Sequence, residues 1–194
     1  MNGGKMRKRR STAPETGKTK TKPHVTIEKT DTMMVEIPLW LIGEVNDDSV
    51  KELIAQIDQI NSSVKPENLK NTYITLNISS EGGDVYSGFA LIDSIKNSQV
   101  IVHTHIASVA MSMAAAIFMA GTIRTCSKWA QMMIHHFSVG VAETPPKNVL
   151  ISGNGMLALE KHYEAMFKPL KLDENDKYLY ANDLKRLKWV QKII

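Results

Sequence analysis

Tyr73-Ile74-Thr75-Leu76-Asn77-Ile78-Ser79-Ser80-Glu81-Gly82-Gly83-Asp84 is the stretch that decides the fold. Its first half, Tyr73 to Ile78, reads as a buried strand, and it runs without a spacer into a polar turn with two adjacent glycines. Beyond the turn, Val85, Phe89, Ile92 and Ile95 recur at helical spacing, which predicts a helix over 85–97. A strand passing through a glycine turn into an amphipathic helix is the first part of a crossover between parallel strands.

The same alternation continues on both sides. Toward the N-terminus, Val35 to Ile42 reads as a strand closed by Gly43, and Val50, Leu53, Ile54, Ile57 and Ile60 predict a helix over 48–60. Lys65-Pro66-Glu67-Asn68 reads as a loop. Toward the C-terminus the pattern predicts a strand at Gln99 to His103, a helix from Ser108 to Met119, and strands at Ile123 to Cys126 and Gln131 to His135. A loop through Pro145-Pro146, a helix over about 155–168, and a last helix and strand after Asp176 complete it. Repeated strand–helix units of this length imply an α/β fold with parallel strands. At 194 residues, one domain with a sizeable core is expected.

Charge is unevenly placed. Of 24 Lys and Arg, eight lie in residues 1–22 with only Glu15 against them, so the rest of the chain is mildly acidic. Residues 1–30, rich in Thr, Gly and Pro, offer too little apolar surface to offset ordering and are expected to form a disordered basic arm. Arg7-Lys8-Arg9-Arg10 suits contact with phosphate or an acidic partner, or is a solvated tail. A single cysteine, Cys126, excludes an internal disulfide and reads as a core or loop residue. A reducing, cytoplasmic setting and no metal follow as expectations. Ile106 to Ile123 has 18 uncharged residues, but its Ala, Ser and Met content favours a buried core helix over a membrane span.

Four features carry candidate chemistry. The Gly82-Gly83 turn can aim backbone N–H groups at an anion, although a Gly-Gly pair alone is often only a turn. Ser112, in Met111-Ser112-Met113-Ala114, stands at a helix start where the N–H of Met113 and the helix dipole favour negative charge. It can equally be a cap, and Ser108 is a rival both as cap and as nucleophile. His135 closes an apolar strand and can project into a cleft as a general base, or be a satisfied core residue, as can His103 and His105. Asp176 can orient an imidazole or cap a helix; Asp173 and Asp183 suit the cap equally well.

Taken in order, Asn77-Ile78-Ser79-Ser80-Glu81-Gly82-Gly83-Asp84-Val85, Ala110-Met111-Ser112-Met113-Ala114-Ala115, Met132-Met133-Ile134-His135 and Asp176-Lys177-Tyr178-Leu179-Tyr180-Ala181 resemble the proteolytic subunit of the caseinolytic (Clp) protease. Leu41-Ile42-Gly43-Glu44-Val45 resembles that family's first strand and turn. The resemblance covers about residues 35–194. It departs from the family's pattern at Glu81, Asp84 and Ala114, and the segment from His135 to Asp176 is shorter than is typical.

The resemblance implies a crotonase-like superhelical fold of repeated strand–helix units over residues 31–194, with a shortened handle helix near 155–168. It implies a serine endopeptidase in which Ser112 is the nucleophile, His135 the general base and Asp176 the orienting acid, with Gly83 and Met113 supplying the oxyanion-hole N–H groups. No cofactor is implied. The implied partners are copies of the chain in a ring, commonly of seven subunits, in one ring or two, an AAA+ unfoldase, and peptide or unfolded-protein substrates. The alternatives are a non-catalytic ring scaffold, a viral capsid-maturation protease and a crotonase-type acyl-CoA enzyme; a Ser-His-Asp set argues against the last, whose members generally use carboxylates.

Overall fold

Alternating strands and helices follow the apolar periodicity: β1 (Val35–Val45), α1 (Asp47–Ser63), β2 (Thr72–Gly83), α2 (Val85–Asn97), β3 (Ile101–Met111), α3 (Met113–Ala120), β4 (Arg124–Cys126), β5 (Gln131–Ile134), α4 (Pro146–Met166), β6 (Lys177–Tyr180), α5 (Ala181–Arg186) and β7 (Lys192–Ile193). The structure is a computed structural model that describes Met1, residues 33–137 and residues 146–194. The basic arm expected over residues 1–30 lies outside the described residues, as does Pro145.

Local sequence sets the helix starts. Asn46 accepts the Ser49 N–H at 3.0 Å, and Ser49 Oγ accepts the Asn46 N–H at 3.1 Å, so two donors that the helix leaves unpaired are satisfied reciprocally at the head of α1. Asp47 and Asp48 place negative charge in the same first turn. At α2 the Asp84 carboxylate accepts the Ser87 N–H at 2.7 Å. Both helices then bury the apolar stripe read from the sequence, including Val50, Leu53 and Ile57 on α1 and Ile92 and Ile95 on α2.

The sheet runs β1-β2-β3-β4-β7, with β5 paired to the end of β3 and β6 to β5. Every pair is parallel except β5 with β6. Ile74, Leu76 and Ile78 of β2 and Val102, Thr104 and Ile106 of β3 are buried on one face, beneath the helices. The alternate residues Tyr73, Thr75, Asn77, His103 and His105 stay half-buried on the other. The stretch expected to be a fully buried strand is therefore covered on one side only in the single chain.

Three further expectations change. The third strand, expected to stop at His103, continues to Met111, so Ser108 is an exposed strand residue and not the head of a helix. Ala, Ser and Met are poor strand formers, but pairing with β5 (Val109↔Gln131 to Met111↔Met133) supplies a ladder that local preference does not. The helix expected over 155–168 runs Pro146–Met166, because proline suits the first helical position and the helix continues through Gly153 and Gly155. Pro66–Asn71, expected as loop, is a short 3-10 helix.

The stretch Ile106 to Ile123 divides between β3 and the eight-residue α3, in which Ala114 to Phe118 are fully buried. No helix among the described residues is long and apolar enough to cross a membrane. Cys126 is likewise buried, and burial pushes its thiol pKa up, as suits a core residue.

Candidate active site

The C-terminal ends of β2, β3 and β5 converge, and in parallel α/β sheets this end is where ligands bind. β3 delivers Ser112 there. Its backbone has φ 51° and ψ −123°, a conformation that a residue with a side chain rarely adopts and that costs roughly 1–3 kcal/mol. Three hydrogen bonds hold it. The Ser112 N–H donates to Met133 O at 2.8 Å, and its carbonyl accepts the Ala115 N–H at 3.0 Å and the Tyr163 hydroxyl at 3.3 Å.

The consequence is a serine at the N-cap position of α3 whose hydroxyl makes no cap. It lies instead 2.8 Å from His135 Nε2. With the imidazole neutral and Nε2 unprotonated, Ser112 donates and the ring accepts, which is the arrangement a nucleophile and its base require. Strand β5 ends at Ile134, so His135 leaves the ladder and is half-buried at the site.

The glycine pair serves close approach. At Gly82, φ is +98° and a Cβ would stand 2.6 Å from Met111 O, 2.8 Å from Ser112 Cβ and 2.9 Å from Met113 N. At Gly83, φ is +147° and a Cβ would stand 2.3 Å from Val45 O. The expectation at this turn concerns the Gly83 N–H; Gly82 is the residue that touches the Ser112–Met113 turn, and its own N–H is held by buried Ser80 Oγ at 3.1 Å. The Met113 N–H heads α3 and has no backbone acceptor among the described residues. It stands at the positive end of the helix, next to Ser112.

Asp176 is near but not joined. Ile134 pairs with Lys177 at the end of the antiparallel β5–β6 ladder, so His135 and Asp176 are the residues that adjoin this last pair. Asp176 is exposed, and no hydrogen bond links its carboxylate to the imidazole among the described residues. The rival acids are engaged elsewhere: Asp173 with Lys177, and Asp183 with the Tyr180 N–H at 3.1 Å and Arg186 at 2.8 Å.

The other histidines have plain surroundings. His103 stacks on Tyr73 with ring centroids 4.6 Å apart, and His105 Nδ1 lies 2.8 Å from Thr125 Oγ1. Burial lowers the pKa of both. His136 pairs with Glu160 at 2.9 Å and Glu164 at 3.6 Å, the one group of three ligating side chains within 4.8 Å among the described residues. Its members already bind each other and the Phe137 N–H, at 2.9 Å from Glu160. Two residues of the site escape a reading of the sequence. Gly82 is marked there only as half of a Gly-Gly pair, and Tyr163 resembles any other apolar position on a helix.

The Clp protease family model matches residues 21–189. The ATP-dependent Clp protease proteolytic subunit 2 of Prochlorococcus marinus (strain MIT 9312) is 28% identical over 171 residues, covering 82% of this chain and 82% of its own. Proteolytic subunit 3 of Synechococcus sp. (strain CC9605) is 28% identical over 173 residues, with 82% and 83% covered. Proteolytic subunit 3 of Parasynechococcus marenigrum (strain WH8102) is 32% identical over 131 residues, with 66% and 62% covered. A match that takes in every element from β1 to α5, and with them the turn that brings Ser112 against His135, means that the chain belongs to the Clp protease family.

Proposed function

We propose that this chain is a serine endopeptidase that works as one subunit of a homo-oligomeric ring. The observation that carries the reading is the 2.8 Å approach of Ser112 Oγ to His135 Nε2 from a strained backbone that does not let the serine cap its own helix. Ser112 Oγ attacks the peptide carbonyl carbon while its proton passes to His135 Nε2. The carbonyl oxygen takes the negative charge beside the N–H groups of Met113 and Gly83. Collapse breaks the C–N bond, His135 returns the proton to the leaving amine, and an acyl-enzyme remains. Water then adds to the ester with His135 again as base, the acyl C–Oγ bond breaks as His135 returns the proton to Ser112 Oγ, and the carboxylic acid departs.

Asp176 completes the set by accepting a hydrogen bond from His135 Nδ1–H, which fixes the tautomer that leaves Nε2 free. That step needs the β5–β6 end to close by a side-chain movement at the exposed Asp176. Relatives named as ATP-dependent proteolytic subunits suggest a ring fed by an AAA+ unfoldase. The substrates are then peptides and unfolded protein.

The missing Asp176–His135 hydrogen bond also favours a second reading, a non-catalytic ring scaffold that keeps the fold. Hydrolysis of a fluorogenic peptide by the wild-type chain, Ser112→Ala and Ser108→Ala separates the two. The peptidase reading predicts activity in wild type and Ser108→Ala and none in Ser112→Ala; equal hydrolysis by all three, or none by any, contradicts it.

A further inference from the structure

Tyr163 sits on α4 and takes no part in the proton transfers above, yet its hydroxyl reaches the site. The side chain is inaccessible to solvent, and burial pushes its pKa well above the ordinary phenol range, so it is a neutral O–H. That hydroxyl donates to the Ser112 carbonyl oxygen at 3.3 Å. A phenol has one donor, and here it is committed to the backbone of the nucleophile.

Ring packing holds it there. Tyr163 lies 4.9 Å from Phe137 and 4.8 Å from Phe167 between ring centroids, and Phe167 lies 5.7 Å from Trp189. One turn earlier on α4, Glu160 accepts the Phe137 N–H and pairs with His136, so the same helix face holds the two residues that follow His135. Of the bonds that keep Ser112 in its strained conformation, two lie within the sheet and the helix turn; the third comes from Tyr163.

We infer that Tyr163 is a positioning residue for the Ser112–His135 pair, coupling the seat of α4 to the aim of the nucleophile. The inference rests on the peptidase reading. Without the hydroxyl, the Ser112 carbonyl loses its partner on α4, and the turn can relax so that Oγ swings away from Nε2. Small misplacements of this kind cost up to about 100-fold in rate.

The test compares wild type, Tyr163→Phe and Phe167→Leu for kcat and KM on a fluorogenic peptide, for the rate of labelling by a fluorophosphonate, and for Tm. Tyr163→Phe keeps the ring packing and is expected to lower kcat and labelling rate together by about 10- to 100-fold with KM unchanged. Phe167→Leu loosens the same aromatic cluster without touching the hydroxyl, and is expected to lower Tm while labelling stays near the wild-type rate. Labelling of Tyr163→Phe at the wild-type rate overturns the inference, as does an equal loss in Phe167→Leu. A wild-type chain that does not label removes the peptidase reading itself, and this inference with it.

Discussion

A methyl group on Gly82 would stand 2.8 Å from Ser112 Cβ, so the strand end of β2 and the head of α3 meet at a point with room for hydrogen only. The contact fixes where the strained serine sits relative to the glycine turn. It also separates two uses of glycine in this chain, since Gly43 has φ +79° and nothing within 4 Å of its missing Cβ.

Gly82→Ala is therefore expected to cost both backbone strain, about 1–2 kcal/mol, and overlap with Met111 O and Met113 N. Gly43→Ala carries only the strain. Urea melts with parallel peptide assays check this: Gly82→Ala should lose most of its activity as well as stability, while Gly43→Ala loses about 1 kcal/mol and keeps its activity.

Asp176→Asn keeps the exposed loop and removes its charge. A fall in kcat of about 10³- to 10⁴-fold is expected if Asp176 fixes the His135 tautomer. Asp183→Asn weakens the head of α5, where the carboxylate accepts the Tyr180 N–H, and should cost no more than about 1 kcal/mol of stability and little activity. Comparable losses of kcat in the two variants would remove Asp176 from its role.

Burial lowers the pKa of His103 and His105 in the folded chain. The unfolded chain therefore binds protons first as pH falls through about 6.5, so stability is full above that pH and declines below it. Urea midpoints at pH 7.5 and 5.5 check the sign. The wild-type midpoint should drop at pH 5.5, and the drop should shrink in His103→Gln/His105→Gln; a midpoint that rises at pH 5.5 contradicts it.

What is legible in the sequence follows from range. Helix α2 is legible at its observed bounds because Val85, Phe89, Ile92 and Ile95 lie within one element and Asp84 caps it locally. The Ser112–His135 pair stands out only through the family resemblance of the segments around it, since the residues alone leave Ser108 as a rival nucleophile and His135 as a core residue. The end of β3 misleads for the opposite reason: Val109 to Met111 is held as strand by Gln131 to Met133, more than twenty residues away. Tyr163 is hidden for the same cause, since its partner atom belongs to the backbone of Ser112. Pro146, Gly153 and Gly155 have the character of breakers, but proline at a helix start carries no penalty.

The most direct test of a live nucleophile at Ser112 is to label the full chain with a fluorophosphonate and map the adduct by peptide mass spectrometry. A single adduct on Ser112, lost in Ser112→Ala and slowed in His135→Gln, is the result expected from the 2.8 Å pair. No adduct, or an adduct on Ser108 or another serine, would contradict it.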